Sequence, residues 1–342
     1  MNADRFRRAD TRGLWLMVAS AAAFAAMAPF TRKWLTGIEP QSIIAARAVV
    51  MTALFFAWGR LRGVDLAGCD RAGLLLRGTI GWFAISCYVW STQHLPSGQA
   101  VLIQYSHPVF VAALAPWLLR ERSGPGHWPL VAAAFTGLAL AIGVGGEIDR
   151  NAAIGLMGAL LSGFAYITVR RISATESPLT IVFWFSLVML PTSLVSCFTP
   201  WSLLDSLAAW LGGTPPNAVH GGAGAAGAHA PVGAALRLLP ATSGEWIGYL
   251  GVVAVGLIGQ VTLTEGLKRA GAARATAVTM AGPLFGLLFD RLFFARTPTP
   301  LILGGTLLVV AALVLLGLLK PTAPATAKRL TAAEPPADVS PE

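Results

Sequence analysis

The sequence predicts an all-α integral membrane protein with ten transmembrane helices, arranged as two inverted repeats of five helices. Three observations support this fold class: the composition, the length of the apolar blocks and the distribution of charge. Apolar residues make up 55% of the chain and charged residues only 12%, whereas soluble domains contain roughly 45–50% and about 25%. A water-soluble protein of this length would need more charge to cover its surface.

The apolar residues occur in ten blocks of about 20 residues, which is the length of helix that crosses a hydrocarbon core ~30 Å thick. Only helices satisfy their backbone polar groups in lipid over such lengths, and the sequence lacks the alternation of membrane β-strands. The predicted spans are Gly13–Thr31, Pro40–Trp58, Gly73–Gln93, Gly98–Leu118, Trp128–Gly146, Ala152–Val169, Leu179–Phe198, Trp246–Glu265, Ala273–Phe293 and Pro300–Leu319.

The distribution of charge predicts the orientation of these spans. With the N-terminus inside, 18 of the 25 Lys and Arg lie on the inner side, a count that includes Arg77, and Arg47 lies within a span. This is the positive-inside bias, so both termini are predicted to be cytoplasmic. The net charge of +9 is therefore a topology signal and predicts no nucleic-acid partner. The predicted location is a cell membrane, with the bacterial inner membrane favoured.

The chain divides into segments of different character. The spans fall into a first repeat at 13–148 and a second at 152–319, between a cytoplasmic N-terminal segment at 1–12 and a tail at 320–342. A Gly- and Ala-rich stretch at 199–244 interrupts the second repeat, and it has too little bulky apolar surface to offset the entropy of ordering. We expect it to be a flexible outer loop, and we expect the tail to be disordered.

Similar residues recur in the two halves. Pro108-Val-Phe110 matches Pro283-Leu-Phe285 at an offset of 175 residues, and Gly13-Leu14 matches Gly155-Leu156. An odd number of spans in each half forces the second half to insert upside down. Inverted repeats are typical of secondary transporters, whose substrate site lies near the midplane between the repeats.

The residues from Tyr88 to Glu121 carry a family resemblance. They combine an aromatic residue, a Leu95-Pro96 turn, an Ala-rich helix with the central Pro108 and a closing Glu121. This order, and its partial repetition in the second half, resembles the EamA-type transporters of the drug/metabolite transporter superfamily. The resemblance implies export of a small polar organic metabolite, such as an amino acid or a related compound. Ala295 and Arg296 stand where a closing glutamate would be expected in the second half.

Pro108 and Pro283 lie near the centres of their spans. Proline removes a backbone donor and frees the carbonyl four residues earlier, so each residue predicts a break in its helix. Paired breaks at equivalent positions indicate a substrate site. The alternative is that both prolines are kinks supported by neighbouring helices.

Large polar side chains within the spans are candidates for a cavity, because exposing them to lipid would be costly. The alternative is contact between helices, which is favoured for the small polar residues. The predicted cavity residues are Trp82, Tyr88, Gln104, Tyr105, Tyr166 and Gln260.

Two ionisable residues complete the predicted substrate site. Arg47 lies about 10 Å below the outer end of its span, where its guanidinium could either extend to the surface or bind a substrate carboxylate. His107 directly precedes Pro108. With an ordinary pKa of ~6.5, it could carry a coupling proton, or it could remain neutral and hydrogen-bond a carbonyl freed by the helix break.

The favoured function is a secondary transporter. The alternatives are a membrane-embedded enzyme and a structural or signalling membrane protein without transport activity. The sequence contains no His-Glu-x-x-His, Gly-x-Ser-x-Gly or Walker motif, so we predict no catalytic residue, metal, cofactor or direct use of ATP. The predicted partners are the lipid bilayer and a small-molecule substrate, while a coupling proton and a homodimer stay open.

Overall fold

The computed structural model describes residues 3–36, 38–118, 126–142, 150–198, 240–270, 278 and 280–318. All the regular secondary structure in these ranges is helical. The first half contains α1 (Ala3–Trp34), α2 (Pro40–Arg62), α3 (Arg71–His94), α4 (Ser97–Gln104), α5 (His107–Leu118) and α6 (His127–Ile142). The second half contains α7 (Arg150–Ile172), α8 (Pro178–Phe198), α9 (Ser243–Ala270), α10 (Gly282–Phe294) and α11 (Pro300–Leu318).

Within the described ranges, six helices are long and apolar enough to cross a membrane. These candidate spans are Arg12–Trp34, Pro40–Arg62, Arg71–His94, Asn151–Val169, Pro178–Cys197 and Ser243–Leu263, and His127–Ile142 and Pro300–Leu316 are shorter apolar helices. Large apolar side chains are exposed on the outer surfaces of helices, for example Trp15 (69%), Phe56 (52%) and Leu61 (85%). Such surfaces are costly in water and suit a multi-pass membrane protein. The total of ten spans and the inverted repeat stay predictions.

Local sequence signals explain where several helices begin and end. Pro40 occupies the first turn of α2, where its missing N–H has no helical partner to lose. Gly63 ends α2 with a positive φ of 63°, a conformation that costs glycine little. Asp70 caps α3 by accepting a hydrogen bond from the Gly73 N–H at 2.9 Å.

The helices of the two halves pack against each other. Helix α1 runs along α9, α2 packs on α8, α3 on α7 and α8, α4 on α10, and α6 on α11. Between α6 and α11, Gly137 and Gly305 meet so closely that a Cβ on Gly137 would lie 2.7 Å from the Gly305 carbonyl oxygen. Small residues of this kind let membrane helices approach closely. Most of the buried contact is therefore between halves.

The largest apolar cluster joins five helices. Met27 of α1, Ile43 of α2, Val89 of α3, Met189 of α8 and Val252 of α9 are buried together. This cluster fixes the relative positions of the helices that carry most of the candidate site. The predicted flexible loop falls largely at 199–239, and this stretch and the tail lie outside the described residues.

Candidate functional site

Span four is divided into two helices. Helix α4 ends at Gln104, α5 begins at His107, and Tyr105 between them has φ −76° and ψ 2°. Pro108 has no N–H with which to hydrogen-bond the Gln104 carbonyl four residues earlier. Nδ1 of His107 lies 2.9 Å from that carbonyl oxygen. Because a carbonyl can only accept, this geometry places the ring proton on Nδ1.

The second predicted break lies at the start of a helix. Helix α10 begins at Gly282 with Pro283 in its first turn. Tyr105, at the end of α4, packs its ring directly against Gly282, and any side chain at Gly282 would collide with it. The structure therefore brings the residues beside Pro108 and Pro283 together, through the contact between Tyr105 and Gly282.

Two of the predicted cavity tyrosines hydrogen-bond α1. The hydroxyl of Tyr105 donates to the Ala21 carbonyl at 3.3 Å, and that of Tyr88 lies 3.5 Å from the Phe24 carbonyl. Tyr105 is 8% exposed and Tyr88 6% exposed. These contacts stabilise the packing of α1 on α3 and α4. They correspond to the alternative considered from the sequence, in which polar residues make contacts between helices.

Trp82 lies in a polar contact between three helices. Its indole N–H is 3.0 Å from Oε1 of Gln41 and 3.1 Å from Oγ of Ser193. Nε2 of Gln41 in turn donates to Ser86 at 3.0 Å. This network joins α2, α3 and α8, which makes Trp82 a residue of the helix interfaces. Gln260 is partly buried on α9.

Arg47 is buried within the helix bundle. Its side chain is 4% exposed, and neither Nε nor Nη1 has a hydrogen-bond partner among the described residues. A Cβ on Gly256 of α9 would lie 3.2 Å from Nε, and Tyr88 is close enough to interact electrostatically. Gly256 is far from either end of α9, so the guanidinium does not extend to the membrane surface.

A second group of aromatic and charged residues surrounds Tyr166. We call it the Tyr166 cleft and define it by Arg77, His107, Tyr166 and Phe185. The Tyr166 ring is 50% exposed and stacks on His107 with ring centroids 4.5 Å apart. Arg77 interacts electrostatically with Tyr166 and lies over Phe185, with Cζ 4.6 Å from the ring centroid. The Tyr166 cleft therefore brings together side chains of α3, α5, α7 and α8.

Gln104 adds an unused acceptor near the break in span four. Its amide Nε2 donates to Oγ of Ser162 at 3.0 Å. Its Oε1 is buried and has no hydrogen-bond partner in the described part of the chain. An oxygen in this state can accept from an N–H or O–H of a bound molecule.

Sequence reasoning did not include Arg77 among the candidate site residues. The charge count assigned it to the inner flank of span three, although it falls within the predicted span Gly73–Gln93. In the structure its Nε and Nη1 are buried without hydrogen-bond partners among the described residues. The available signal was its position inside an apolar block, which is the same signal that identified Arg47.

Two carboxylates of the second half bind helix starts of the first half. Oδ1 and Oδ2 of Asp290 accept the N–H groups of Ser97 and Gly98 at 3.0 and 2.8 Å. We call this contact the Asp290 clamp. Arg32 of α1 donates to the carbonyl of Leu95 in the same turn.

The second contact lies at the opposite end of α3, and we call it the Glu176 clamp. Oε1 of Glu176 accepts the N–H groups of Cys69 and Asp70, both at 2.6 Å. Helix α3 has 24 residues, so the two clamps are separated by about 36 Å along its axis. Neither contact was predicted from the sequence, because each joins residues more than 100 positions apart.

A cavity of about 270 Å³ lies at the predicted inner ends of α2, α8 and α9. It is on the same side as the Glu176 clamp and away from Arg47. The lining residues are Trp58, Arg62, Val64, Ser177, Pro178, Leu179 and Glu265.

Known proteins resemble the chain over most of its length. The pseudopaline exporter of Pseudomonas aeruginosa (strain UCBPP-PA14) is 25% identical over 306 residues, covering 89% of this chain and 95% of the relative. The probable terminal-alkyne amino-acid exporter of Streptantibioticus cattleyicolor is 26% identical, covering 90% and 93%. The riboflavin transporter of Rhizobium johnstonii is 26% identical over 54% of this chain and 62% of the relative.

A structural comparison and a family comparison agree with these similarities. A crystal structure of another protein matches with a TM-score of 0.57 and 17% sequence identity, covering 90% of this chain and 97% of the other. That likeness supports the fold. The model of the EamA-like transporter family matches residues 11–143 and 151–318. The chain belongs to the EamA-like transporter family.

Proposed function

We propose that this protein is a secondary transporter that exports a small polar organic metabolite, an amino acid or a related compound. Family membership and relatives named as exporters support transport and its direction. The observation that carries the substrate class is Arg47, a buried cation with two donors that have no partner in the described part of the chain. Burying a charge in this way is costly unless a bound anion compensates it.

The polar groups of the site suit an amino acid. Arg47 binds the carboxylate through charge-assisted hydrogen bonds, with Tyr88 beside it. The free Oε1 of Gln104 accepts from the ammonium group. The exposed face of Tyr166 offers an aromatic surface for the body of the substrate.

Transport requires the site to open on one side of the membrane at a time. The two clamps tie the halves together at opposite ends of α3. In our proposal, the Asp290 clamp opens on the outer side and the Glu176 clamp opens on the inner side. The match of the family model to two separate ranges supports two repeats that move against each other.

Efflux from proteoliposomes tests the function. Vesicles containing the purified protein are loaded with a ¹⁴C-labelled mixture of the protein amino acids, and the labelled compounds that leave are identified by chromatography. We expect protein-dependent loss of a subset of the mixture, and slower loss with Arg47→Gln. Equal retention of all compounds in vesicles with and without protein would contradict the proposal.

A further inference from the structure

The guanidinium of Arg77 points towards the middle of α3. An arginine in this position that extended to the membrane surface would reach back towards Arg71 at the start of the helix. Instead, Nη1 of Arg77 occupies the space beside Gly81, one turn further along, where any side chain would collide with it. Gly81 therefore provides the room that holds the cation away from the nearer membrane surface.

The surroundings of Arg77 leave donors unused. The guanidinium lies over Phe185, an arrangement that offsets part of the cost of burying a cation. Tyr166 is the nearby polar side chain with which it interacts electrostatically. Nε and Nη1 nevertheless lack hydrogen-bond partners within the described ranges. Buried guanidinium donors that have no partner among the described residues are a feature of an anion-binding site.

Arg47 and Arg77 face different helices. Arg47 lies against Gly256 of α9, whereas Arg77 lies against Phe185 of α8 and near Tyr166 of α7. One carboxylate compensates one cation, so a substrate with a single carboxylate leaves the other arginine buried and unpaired.

We infer that Arg77, Tyr166 and Phe185 form a second anion subsite, and that the preferred substrate carries two carboxylates. This inference rests on the proposed function. The first carboxylate binds Arg47, the second binds Arg77, and the chain between them crosses the aromatic surface of Tyr166. A neutral group at the second position would leave the donors of Arg77 unsatisfied, so the subsite discriminates against it.

Binding measurements with matched probes test the subsite without requiring transport. The probes are L-glutamate, L-2-aminoadipate and L-2-aminopimelate, each compared with the analogue in which an amide replaces the side-chain carboxyl group. Calorimetry on the protein in nanodiscs gives the affinities. We expect at least one diacid to bind about tenfold or more tightly than its amide.

Variants then assign the preference to Arg77. Arg77→Gln should remove the preference for the diacid while leaving the affinity for the amide nearly unchanged. Arg47→Gln should weaken diacid and amide alike. Gly81→Ala keeps the charge of Arg77 but displaces its guanidinium, so it should also reduce the preference for the diacid. This variant replaces Arg77→Gln in the test if Arg77→Gln does not fold. Arg60→Gln, an exposed position on α2, is the matched control and should match the wild type.

The outcomes separate this inference from the proposed function. Equal affinity of the wild type for every diacid and its amide would overturn the second subsite, as would a preference that survives both Arg77→Gln and Gly81→Ala. Efflux of monocarboxylates from proteoliposomes in that case would keep the transporter. An Arg77-dependent preference in a protein that moves none of the probes would keep the subsite and reject transport.

Discussion

His107 illustrates how a single side chain can compensate for a proline. Pro108 deprives the Gln104 carbonyl of its helical donor, and Nδ1 of His107 lies at 2.9 Å to replace it. The sequence left two roles open, a coupling proton or this hydrogen bond. The geometry shows the hydrogen bond from Nδ1 and leaves Nε2 as the nitrogen that a coupling proton would bind.

We predict that His107→Gln keeps the rate of efflux and its pH profile. The glutamine amide can still donate to the Gln104 carbonyl but does not titrate near neutral pH. His107→Ala should instead destabilise the protein by about 1–3 kcal/mol, because it leaves a buried carbonyl unpaired. The measurements are efflux between pH 5.5 and 8.5 and thermal unfolding in detergent.

A different result with His107→Gln would restore the coupling role. If the rate persists but the pH dependence disappears, the proton passes through His107. The groups that face this ring are Tyr166, stacked on it, and Tyr105, with ring centroids 6.3 Å apart. Arg77 belongs to the same Tyr166 cleft as His107. The pH profile of efflux should therefore also be measured with the Arg77→Lys variant.

Arg47 gives the second prediction at this scale. Arg47→Lys keeps the charge but loses the planar arrangement of donors, whereas Arg47→Gln loses the charge. We expect partial transport with lysine, and with glutamine a roughly 10- to 100-fold loss of apparent affinity, as expected for a hydrogen bond to a charged group. Concentration-dependent efflux measures both, with the exposed Arg60→Gln as control. Near-normal activity in both Arg47 variants would remove Arg47 from the site.

The sequence allowed some candidate site residues to be proposed and not others. Arg47 was a candidate because a charge inside an apolar block is costly and is therefore a functional hypothesis by default. Arg77 was missed because a charge near the end of a span also satisfies the positive-inside rule. Tyr105 and Trp82 were predicted to face a cavity, but their donors bind Ala21 and the side chains of Gln41 and Ser193. Periodicity shows that a polar group is buried without showing its partner.

At the scale of elements, the helices were largely predictable and their connections were not. An apolar block of about 20 residues has few alternatives to a helix in lipid, so α2, α3 and α8 lie within a few residues of their predicted spans. The Asp290 and Glu176 clamps join segments distant in sequence, and a carboxylate near a helix end is equally compatible with a surface ion pair. Only the folded arrangement distinguishes these alternatives.

We predict that Asp290→Asn weakens the closure at the start of α4. An amide oxygen cannot replace two carboxylate oxygens, so the N–H of Ser97 or Gly98 loses its partner, at a cost of about 1–3 kcal/mol. A cysteine at Ser97, a fully buried position, should react faster with a membrane-impermeant maleimide in this variant. The reaction is followed in a background in which the native cysteines are replaced.

Glu176→Gln is the matched control for this clamp. It removes the charge from the other clamp, so it should leave the cysteine at position 97 protected. Equal labelling of position 97 with and without Asp290→Asn would show that the clamp does not control access at that end.

At the scale of the whole molecule, the two halves depend on each other. Helices α1, α2, α3, α4 and α6 bury their contacts chiefly against α9, α8, α7, α10 and α11. Neither half therefore has a complete core of its own, and the largest apolar cluster takes residues from both. The clamps add polar contacts of the same kind at each end. In the proposed function, motions that expose the site separate the halves at one end while the other end stays closed.

The last prediction concerns the orientation of the molecule, on which the direction of transport depends. The excess of Lys and Arg on one side predicts that both termini are cytoplasmic. Alkaline phosphatase and green fluorescent protein fusions report opposite sides of the membrane. Fusions at Arg122 and Lys320 should be cytoplasmic, and a fusion near Gly224 should be external. A fusion at Gly63, in the exposed turn after α2, should also be cytoplasmic and locates the Glu176 clamp on the inner side. The reverse pattern at any two of these positions would invert the orientation, and with it the assignment of inner and outer clamps.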